Sequence, residues 1–392
     1  MPAFPSISVG PVVRDPDEEH RASTPLELFV DLCFVVAVAQ SAAALHHELV
    51  IGEVAYGVVG FLMAFFGVWW AWMNFTWFAS AHDADDVPYR LLTLVQITGV
   101  LIYAAAVPHN VEDHDFTLSV IGYVIMRLAL VTQWLRVARH FPELRTRCLR
   151  YAIGITLLQL LWLLILITPE RYAPWLFLAL AIGELSIPQW AEGAARGSRY
   201  WRLFHPAHIE ERYGLFTIIV LGESVLSATV GIQEVSTGGV SASLLAVAAA
   251  GLLIAFGAWW IYFDHPGHLT PDAQLAIRWG YLHVVVFASL AALGAGLHVA
   301  AEAVAGEATE RVGALAVAVP VASYLVGIVL LMIATRHVPR PIYIVPKLIG
   351  AGLILVVGVV GSVVVTVSVA AAVMVVMVVI MVIVAPTPHV VR

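Results

Sequence analysis

The stretch ELFVDLCFVVAVAQ, from Glu27 to Gln40, is apolar enough to enter a lipid bilayer, yet it carries two carboxyl groups and an amide. Glu27 and Asp31 are four residues apart, so a helix places both on one face. Gln40 lies nine residues beyond Asp31, which at about 100° per residue puts it on nearly the opposite face. A helix that presents polar groups to two sides is expected to be central, with protein around most of its circumference.

The whole chain has the composition of a polytopic integral membrane protein. Of its 392 residues, 61% are hydrophobic and only 12% are charged, whereas soluble proteins carry about 25% charged residues. Apolar runs of roughly 20 residues, the length that crosses a bilayer, recur from end to end. The net charge of −7 comes with no basic stripe, so the expected surroundings are membrane lipid and nucleic acid is not an expected partner.

Hydropathy predicts an all-α fold of about twelve transmembrane helices. They are predicted at roughly 27–46, 54–78, 90–108, 117–138, 150–168, 173–190, 211–232, 240–263, 277–299, 312–334, 342–360 and 363–385. The turn between the last two is placed at the small residues of GVVGS, 358–362. Residues 1–24 and 387–392 are predicted to be cytosolic tails.

The basic residues predict the orientation. With the N-terminus inside, the inner loops and span ends hold 17 Lys and Arg residues and the outer loops hold 2. Positive charge favours the cytosolic side, so we expect a bacterial cytoplasmic-membrane protein with both termini cytosolic. The outer loops then include HHELVIGE (46–53) and AEAVAGEATER (301–311), and the side chains of His46 and His47 are expected to be solvated. One inner loop, SAHDADDVPYR (80–90), is unusually acidic.

Matched motifs predict an internal duplication. The segment EERYGLFTIIVLGES (210–224) aligns with residues 27–41 so that Glu223 meets Gln40, and WWIYFD (259–264) aligns with WWAWMN (69–74). Six spans in each half preserve orientation, which gives two parallel six-helix repeats, 25–190 and 210–386, joined by a cytosolic linker, 191–209. Chance similarity between apolar helices is the alternative. The Trp pairs are expected to be interfacial or packing residues.

Charged groups inside the spans mark the candidate site, because each costs about 2.5–3.5 kcal/mol at the bilayer centre on insertion scales. Arg127 and Glu223 both lie near mid-span and are predicted to pair. The candidate substrate or ion pathway comprises Glu27, Asp31, Gln40, Arg90, Arg127, Glu223, Asp264, Arg278 and His283. Structural alternatives remain: the carboxylates near span ends would cap helices, Arg90 and Arg278 would anchor the topology, and a buried pair would fix helix packing.

Enzyme signatures are missing from the sequence. It contains no G-x-S-x-G elbow, Walker A loop, H-E-x-x-H motif or dinucleotide fingerprint. No enzyme, catalytic residue or cofactor is therefore predicted. His205 and His208 form an H-x-x-H pair beside Glu210, but no zinc-type constellation surrounds them, so no metal site is predicted.

Four separated motifs resemble the bacterial low-temperature-requirement A (LtrA) family. They are TPLELFVDLCFVVAVAQ, DADDVPYRLL, HIEERYGLFTIIVLGESVL and WWIYFDH, and the resemblance runs from about Thr24 to at least Val338. The usual opening, ELFFDL, has Val30 at its second aromatic position here. The resemblance implies a multi-pass membrane protein connected with growth in the cold, and no particular reaction. The family's polar motif residues fall on Glu27, Asp31, Arg90, Glu210, Arg212, Glu223 and Asp264.

The leading hypothesis is a transporter of a small solute or ion, because titratable carboxylates inside the membrane are what proton coupling needs. Glu223 and Asp31 would carry protons, Arg127 would be the internal counter-charge, and Gln40 with His283 would line the path. A channel is a variant of this hypothesis. The alternatives are a non-transporting sensor, scaffold or accessory protein in cold or envelope stress, and an intramembrane enzyme acting on lipid. Neither the solute nor the oligomeric state follows from the sequence.

Overall fold

The structure is a computed structural model, and it describes residues 10–15, 18, 21–112, 115–195, 203–236, 239, 241–264, 269, 272–335 and 340–384. Within these residues the fold is entirely helical. The long helices are α1 (Pro25–Ile51), α2 (Val54–His82), α3 (Val87–Glu112), α4 (Thr117–His140), α5 (Arg145–Trp162), α6 (Ala173–Glu192), α7 (Pro206–Ser236), α8 (Ala242–Phe263), α9 (Ala273–Ala305), α10 (Glu310–Ala334), α11 (Pro341–Val360) and α12 (Val363–Val384).

Eleven of these helices are long and apolar enough to cross a membrane. The helix outside that group is α6, which carries Glu184 and Glu192. The predicted all-α membrane fold is therefore confirmed, and each of the twelve predicted spans has its own helix. The predicted turn at 358–362 is also confirmed, because α11 ends at Val360 and α12 begins at Val363.

Two compact units make up the chain. Unit 1 comprises the described residues within Met1–Ala44, Val58–Phe216 and Pro271–Ala276, and unit 2 those within Leu45–Gly57, Thr217–Thr270 and Ile277–Arg392. The first part of α7, through Phe216, thus belongs to unit 1 and its remainder to unit 2. The arrangement as two parallel repeats with a linker at 191–209 stays a prediction, as does the orientation of the termini.

Within unit 1, α3 packs on α4, α4 on α5, and α5 on α6. The α3–α4 contact is close because Gly99 and Gly122 face each other: a Cβ at Gly99 would lie 2.6 Å from the Gly122 carbonyl oxygen. Small residues permit such approaches between membrane helices. Within unit 2, α8 packs on α12, and α10 packs on α11 and α12.

The two Trp pairs lie in different surroundings. Trp69 and Trp70 are each only 1% exposed, so they are packing residues of unit 1. Trp259 and Trp260 are 47% and 42% exposed, which suits contact with lipid or the membrane interface. Matched sequence motifs therefore do not have matched environments.

Candidate functional site

Four buried charged or titratable side chains of α1 and α7 form what we call the α1 charge cluster: Glu27, Asp31, His208 and Arg212. The Asp31 Oδ1 atom lies 2.5 Å from Arg212 Nη2, and Glu27 Oε1 lies 3.2 Å from His208 Nε2. All four residues are fully buried. Each helix contributes two residues one turn apart, so the pairs stack as two rungs. The expectation that Glu27 and Asp31 face protein is confirmed, and the basic partner of Asp31 is Arg212.

Further hydrogen bonds fix the two carboxylates. Trp72 Nε1 donates to Asp31 Oδ1 at 2.7 Å. Thr24 and Glu27 form a capping box at the start of α1: Thr24 N donates to Glu27 Oε2 at 2.8 Å, and Glu27 N donates to Thr24 Oγ1 at 3.2 Å. Glu27 therefore has the structural role that a span-end carboxylate suggests and also binds His208.

The cluster has more acidic than fixed basic charge. Two carboxylates face one guanidinium and one imidazole, so the net charge is −1 when His208 is neutral and zero when the cluster binds one proton. Asp31 Oδ2, His208 Nδ1 and two guanidinium nitrogens of Arg212 are buried with no hydrogen-bond partner among the described residues. A buried polar atom without a partner is costly, so Asp31 Oδ2 is a place where a proton or a water would be stabilised.

A second buried layer lies beside this cluster, outside the membrane spans. Arg21 donates to the backbone carbonyl oxygens of Ser80 and, at 2.7 Å, Ala79, and its burial lowers the pKa of the guanidinium. Asp83 is 2% exposed. Burial and the negative charge of Glu27 raise the pKa of Asp83 to about 6. The pKa of Asp83 therefore depends on the charge of Glu27, a member of the α1 charge cluster.

The other aspartates of the acidic segment 80–90 have basic partners. Asp85 accepts from Nε and Nη2 of Arg90, both at 2.7 Å. Asp86 accepts from Arg136 Nη2 at 2.7 Å and from the Tyr89 backbone N–H at 2.9 Å, which caps α3. The predicted pathway residue Arg90 is thus in a partly exposed surface ion pair at the start of α3.

The second buried charge site is the Glu184 cluster, centred on one carboxylate of α6. Arg127 Nη2 lies 2.7 Å from Glu184 Oε2, and both side chains are at most 1% exposed. Four more side chains donate to the same carboxylate: Trp70 Nε1 (3.0 Å), Tyr123 OH (3.4 Å), Gln159 Nε2 (3.1 Å) and Trp162 Nε1 (3.3 Å). Both carboxylate oxygens are therefore occupied by donors, and the pair is neutral.

The predicted pairing of Arg127 with Glu223 is wrong, because Glu184 binds the guanidinium. The sequence did hold a signal for Glu184: a carboxylate within the predicted apolar span 173–190, as conspicuous as Arg127 itself. The H-x-x-H spacing of His205 and His208 raises only the question of a metal site, whereas the structure makes His208 the partner of Glu27. Depth in a span predicts that a charge needs a partner, but it does not identify the partner.

Three further predicted pathway residues, one directly after α8 and two in α9, do not share one environment. Asp264 is exposed and accepts from Trp260 Nε1 at 2.6 Å. Arg278 is exposed, and His283 is buried with its Nε2 atom 3.1 Å from Tyr262 OH. The structure therefore assigns Asp264 and Arg278 to the surface and His283 to a packed polar contact.

Gln40 and Glu223, the residues that the repeat alignment pairs, are both half-buried. The residue after Glu223 lines a cavity of about 200 Å³ in unit 2. The lining comes from α7, α8 and α9 and is mostly apolar: Ser224, Val225, Ala228, Thr229, Ile232, Val247, Ala248, Gly251, Leu252, Ala255, Leu293 and Leu297. Ser224 Oγ donates to the Leu290 carbonyl oxygen at 2.7 Å.

Comparison with known proteins identifies relatives. Residues 22–385 match the family described as "Bacterial low temperature requirement A protein (LtrA)". The chain is also similar to a protein of Rhizobium meliloti (strain 1021) named "Uncharacterized protein RA0937", with 25% identity over 290 residues, which covers 69% of this chain and 68% of the relative. All the residues of both charge clusters lie within the family match.

Proposed function

This chain belongs to the bacterial low-temperature-requirement A (LtrA) family, and on that premise we propose that it is a proton-coupled transporter of a small solute or ion in the bacterial cytoplasmic membrane. The observation that carries the proposal is the α1 charge cluster itself, in which two fully buried carboxylates share one directly bound guanidinium and Asp31 Oδ2 has no hydrogen-bond partner among the described residues. The proposal includes no enzymatic reaction, and it retains the cytosolic placement of both termini.

Proton coupling follows from the cost of buried charge. An uncompensated ion inside a protein is expensive and is neutralised when a proton is available. The α1 charge cluster changes from −1 to zero on binding one proton, so its protonation alters the electrostatic attraction between α1 and α7. A proton that binds one arrangement of these helices more tightly than another shifts the population toward the first. Such a shift is what alternating access requires.

The cavity of unit 2 supports a small and mostly apolar solute. Its volume of about 200 Å³ is below the roughly 300–1,000 Å³ typical of sites for drug-sized ligands. Two hydroxyl-bearing residues, Ser224 and Thr229, lie in an otherwise apolar lining. Because α7 supplies residues both to this lining and to the α1 charge cluster, a shift of that helix would affect solute and proton binding together.

A second candidate function, a non-transporting sensor or scaffold, is favoured by the Glu184 cluster. Its carboxylate accepts from five side chains, an arrangement suited to fixing helix packing. If the α1 charge cluster were equally static, the protein would hold its helices in one register and respond to the membrane or to a partner without moving a solute.

Transport is tested with purified protein in liposomes that contain a pH-sensitive dye. A panel of small solutes is first screened for thermal stabilisation of the protein, and the stabilising solutes are then added to the liposomes. We expect at least one of them to drive proton movement. Asp31→Asn and His208→Gln should abolish that movement while the solute still stabilises the protein.

The matched control is His47→Gln, which changes an exposed histidine on the same helix as Asp31, and it should keep wild-type proton flux. Solute flux that is unchanged by Asp31→Asn and by His208→Gln would exclude coupling at this cluster. Binding without flux for every solute of the panel would favour the sensor or scaffold.

A further inference from the structure

A cluster of two histidines and one glutamate lies in unit 2 and shares no residue with the two charge clusters or with the cavity lining. His46 belongs to α1, and His298 with Glu302 lies on α9, one turn apart. His46 Nε2 is 2.9 Å from Glu302 Oε2, and His298 Nε2 is 3.9 Å from Glu302 Oε1. The two imidazole rings stack with centroids 3.9 Å apart and an interplanar angle of 17°. His46 is thus bound to a carboxylate, whereas a solvated side chain was expected.

The spacing of the three groups suits a metal ion. One ligand atom from each residue lies within 4.8 Å of the other two. In a tetrahedral zinc site with bonds of about 2.0–2.1 Å, neighbouring ligand atoms are about 3.3 Å apart. The observed nitrogen–oxygen distances of 2.9 and 3.9 Å fall on either side of that value. Because the stacked rings are nearly parallel, at least one imidazole must rotate for both nitrogens to bind the same ion.

The helix ends also favour a cation here. Glu302 lies in the last turn of α9, which ends at Ala305, so its negative charge adds to the negative end of the helix dipole. A bound cation would relieve this repulsion. The side chains of His46, His298 and Glu302 are 21%, 12% and 11% exposed, so water can reach the ligand atoms and an ion can enter.

We propose that His46, His298 and Glu302 form a binding site for a divalent transition metal of the zinc type, with at least one coordination position left for water or another ligand. Imidazole nitrogen with one carboxylate is a donor set that suits zinc and its neighbours. Calcium and magnesium prefer oxygen donors and should bind poorly. In the predicted orientation the site faces the outside of the cell. The proposal does not depend on the transport function.

The test uses the purified full-length chain in detergent, stripped of metal with a chelator and titrated with Zn²⁺ against a chromophoric competitor. We expect one ion per chain and a higher melting temperature in its presence. Because loss of an outer-shell partner already weakens metal sites by about 10–100-fold, His46→Ala, His298→Ala and Glu302→Gln should each weaken binding at least about tenfold. Binding should also weaken as the pH is lowered, since protonated imidazole cannot ligate.

The matched control is His47→Ala, which removes an exposed histidine next to His46 and should bind Zn²⁺ as the wild type does. Co²⁺ provides a second readout, because direct ligation gives visible absorption bands that the three ligand variants should lose. The variants' melting temperatures without metal show whether they are folded. Absence of stoichiometric Zn²⁺ binding by the wild type, or an affinity that the folded ligand variants retain, would overturn the proposal.

Discussion

The α1 charge cluster and the Glu184 cluster both bury a guanidinium–carboxylate pair in unit 1, yet their carboxylates differ in hydrogen bonding and in charge balance. Both oxygens of Glu184 accept hydrogen bonds, and one arginine balances its charge. In the α1 charge cluster one arginine faces two carboxylates, and Asp31 Oδ2 has no donor within the described part of the chain. Glu184 is therefore suited to a fixed structural pair, and Asp31 to a site that exchanges a proton.

This difference separates two uses of buried charge. A carboxylate whose oxygens both accept hydrogen bonds and whose charge is balanced fixes one helix arrangement, although apolar residues of similar volume often stabilise a fold as well. A cluster with excess carboxylate changes its net charge with each proton that it binds, and under the proposed function this change would couple pH to the arrangement of the helices. Burial alone does not distinguish the two, because the four charged side chains, Asp31, Glu184, Arg127 and Arg212, are at most 1% exposed.

The largest effect is expected at the Glu184 cluster. Glu184→Gln and Arg127→Met each leave one buried charge without its counter-charge, and each should lower the free energy of unfolding by about 3–5 kcal/mol. The double variant should recover much of this loss. The thermal stabilities of the wild type, the two single variants and the double variant in detergent measure this recovery. If the losses of the two single variants simply add, the two side chains are not coupled and the cluster is not a structural pair.

An asymmetric effect is expected at the α1 charge cluster, as large as at Glu184 for one variant and smaller for the other. Arg212→Met leaves two buried carboxylates together, whereas Asp31→Asn leaves Arg212 balanced by Glu27. Arg212→Met should therefore cost about 3–5 kcal/mol, and Asp31→Asn only about the 1.5–3 kcal/mol of a hydrogen bond to a charged group. The same measurements of thermal stability, made on Arg212→Met and Asp31→Asn, show whether the two losses differ. Equal losses would show that Glu27 does not balance Arg212 and that the two clusters behave alike.

The smallest effect is a pH dependence at Asp83, beside Glu27. Its folded-state pKa of about 6 exceeds the ordinary value of about 3.9, so the folded protein binds more protons and its stability falls as pH rises through this window. The loss should be about 1 kcal/mol between roughly pH 5 and pH 7. Asp83→Asn should remove this contribution, and Glu27→Gln should reduce it because Glu27 supplies part of the shift. A slope that Asp83→Asn leaves unchanged would assign the effect to other groups.

The sequence predicts the helices of this protein better than their contacts. Apolar runs of membrane-spanning length predict the twelve helices, and the small residues at 358–362 predict the turn between the last two. The structure confirms both predictions. The i, i+4 spacing of Glu27 and Asp31 also predicts correctly that they face protein. These features depend only on local composition and helix geometry.

Partners were harder to predict because they depend on how helices pack. Arg127 needed a counter-charge, but Glu184 and Glu223 both lie well inside predicted spans, and span depth does not separate them. The matched Trp motifs do not predict matched environments for the same reason: Trp69 is buried and Trp259 is half exposed. Similarity between segments fixes neither the neighbours of a helix nor the face that it turns to lipid.

The most direct measurement is the protonation state of the two clusters as a function of pH. Infrared difference spectra recorded from about pH 4 to pH 9 on protein with isotopically labelled histidine monitor it. Carboxyl and imidazole signals are then separated. We expect a titrating signal that Asp31→Asn combined with His208→Gln removes and that Glu184→Gln leaves in place. A titrating signal that depends on Glu184, or none that depends on Asp31 or His208, would contradict the assignment of the exchangeable proton to the α1 charge cluster.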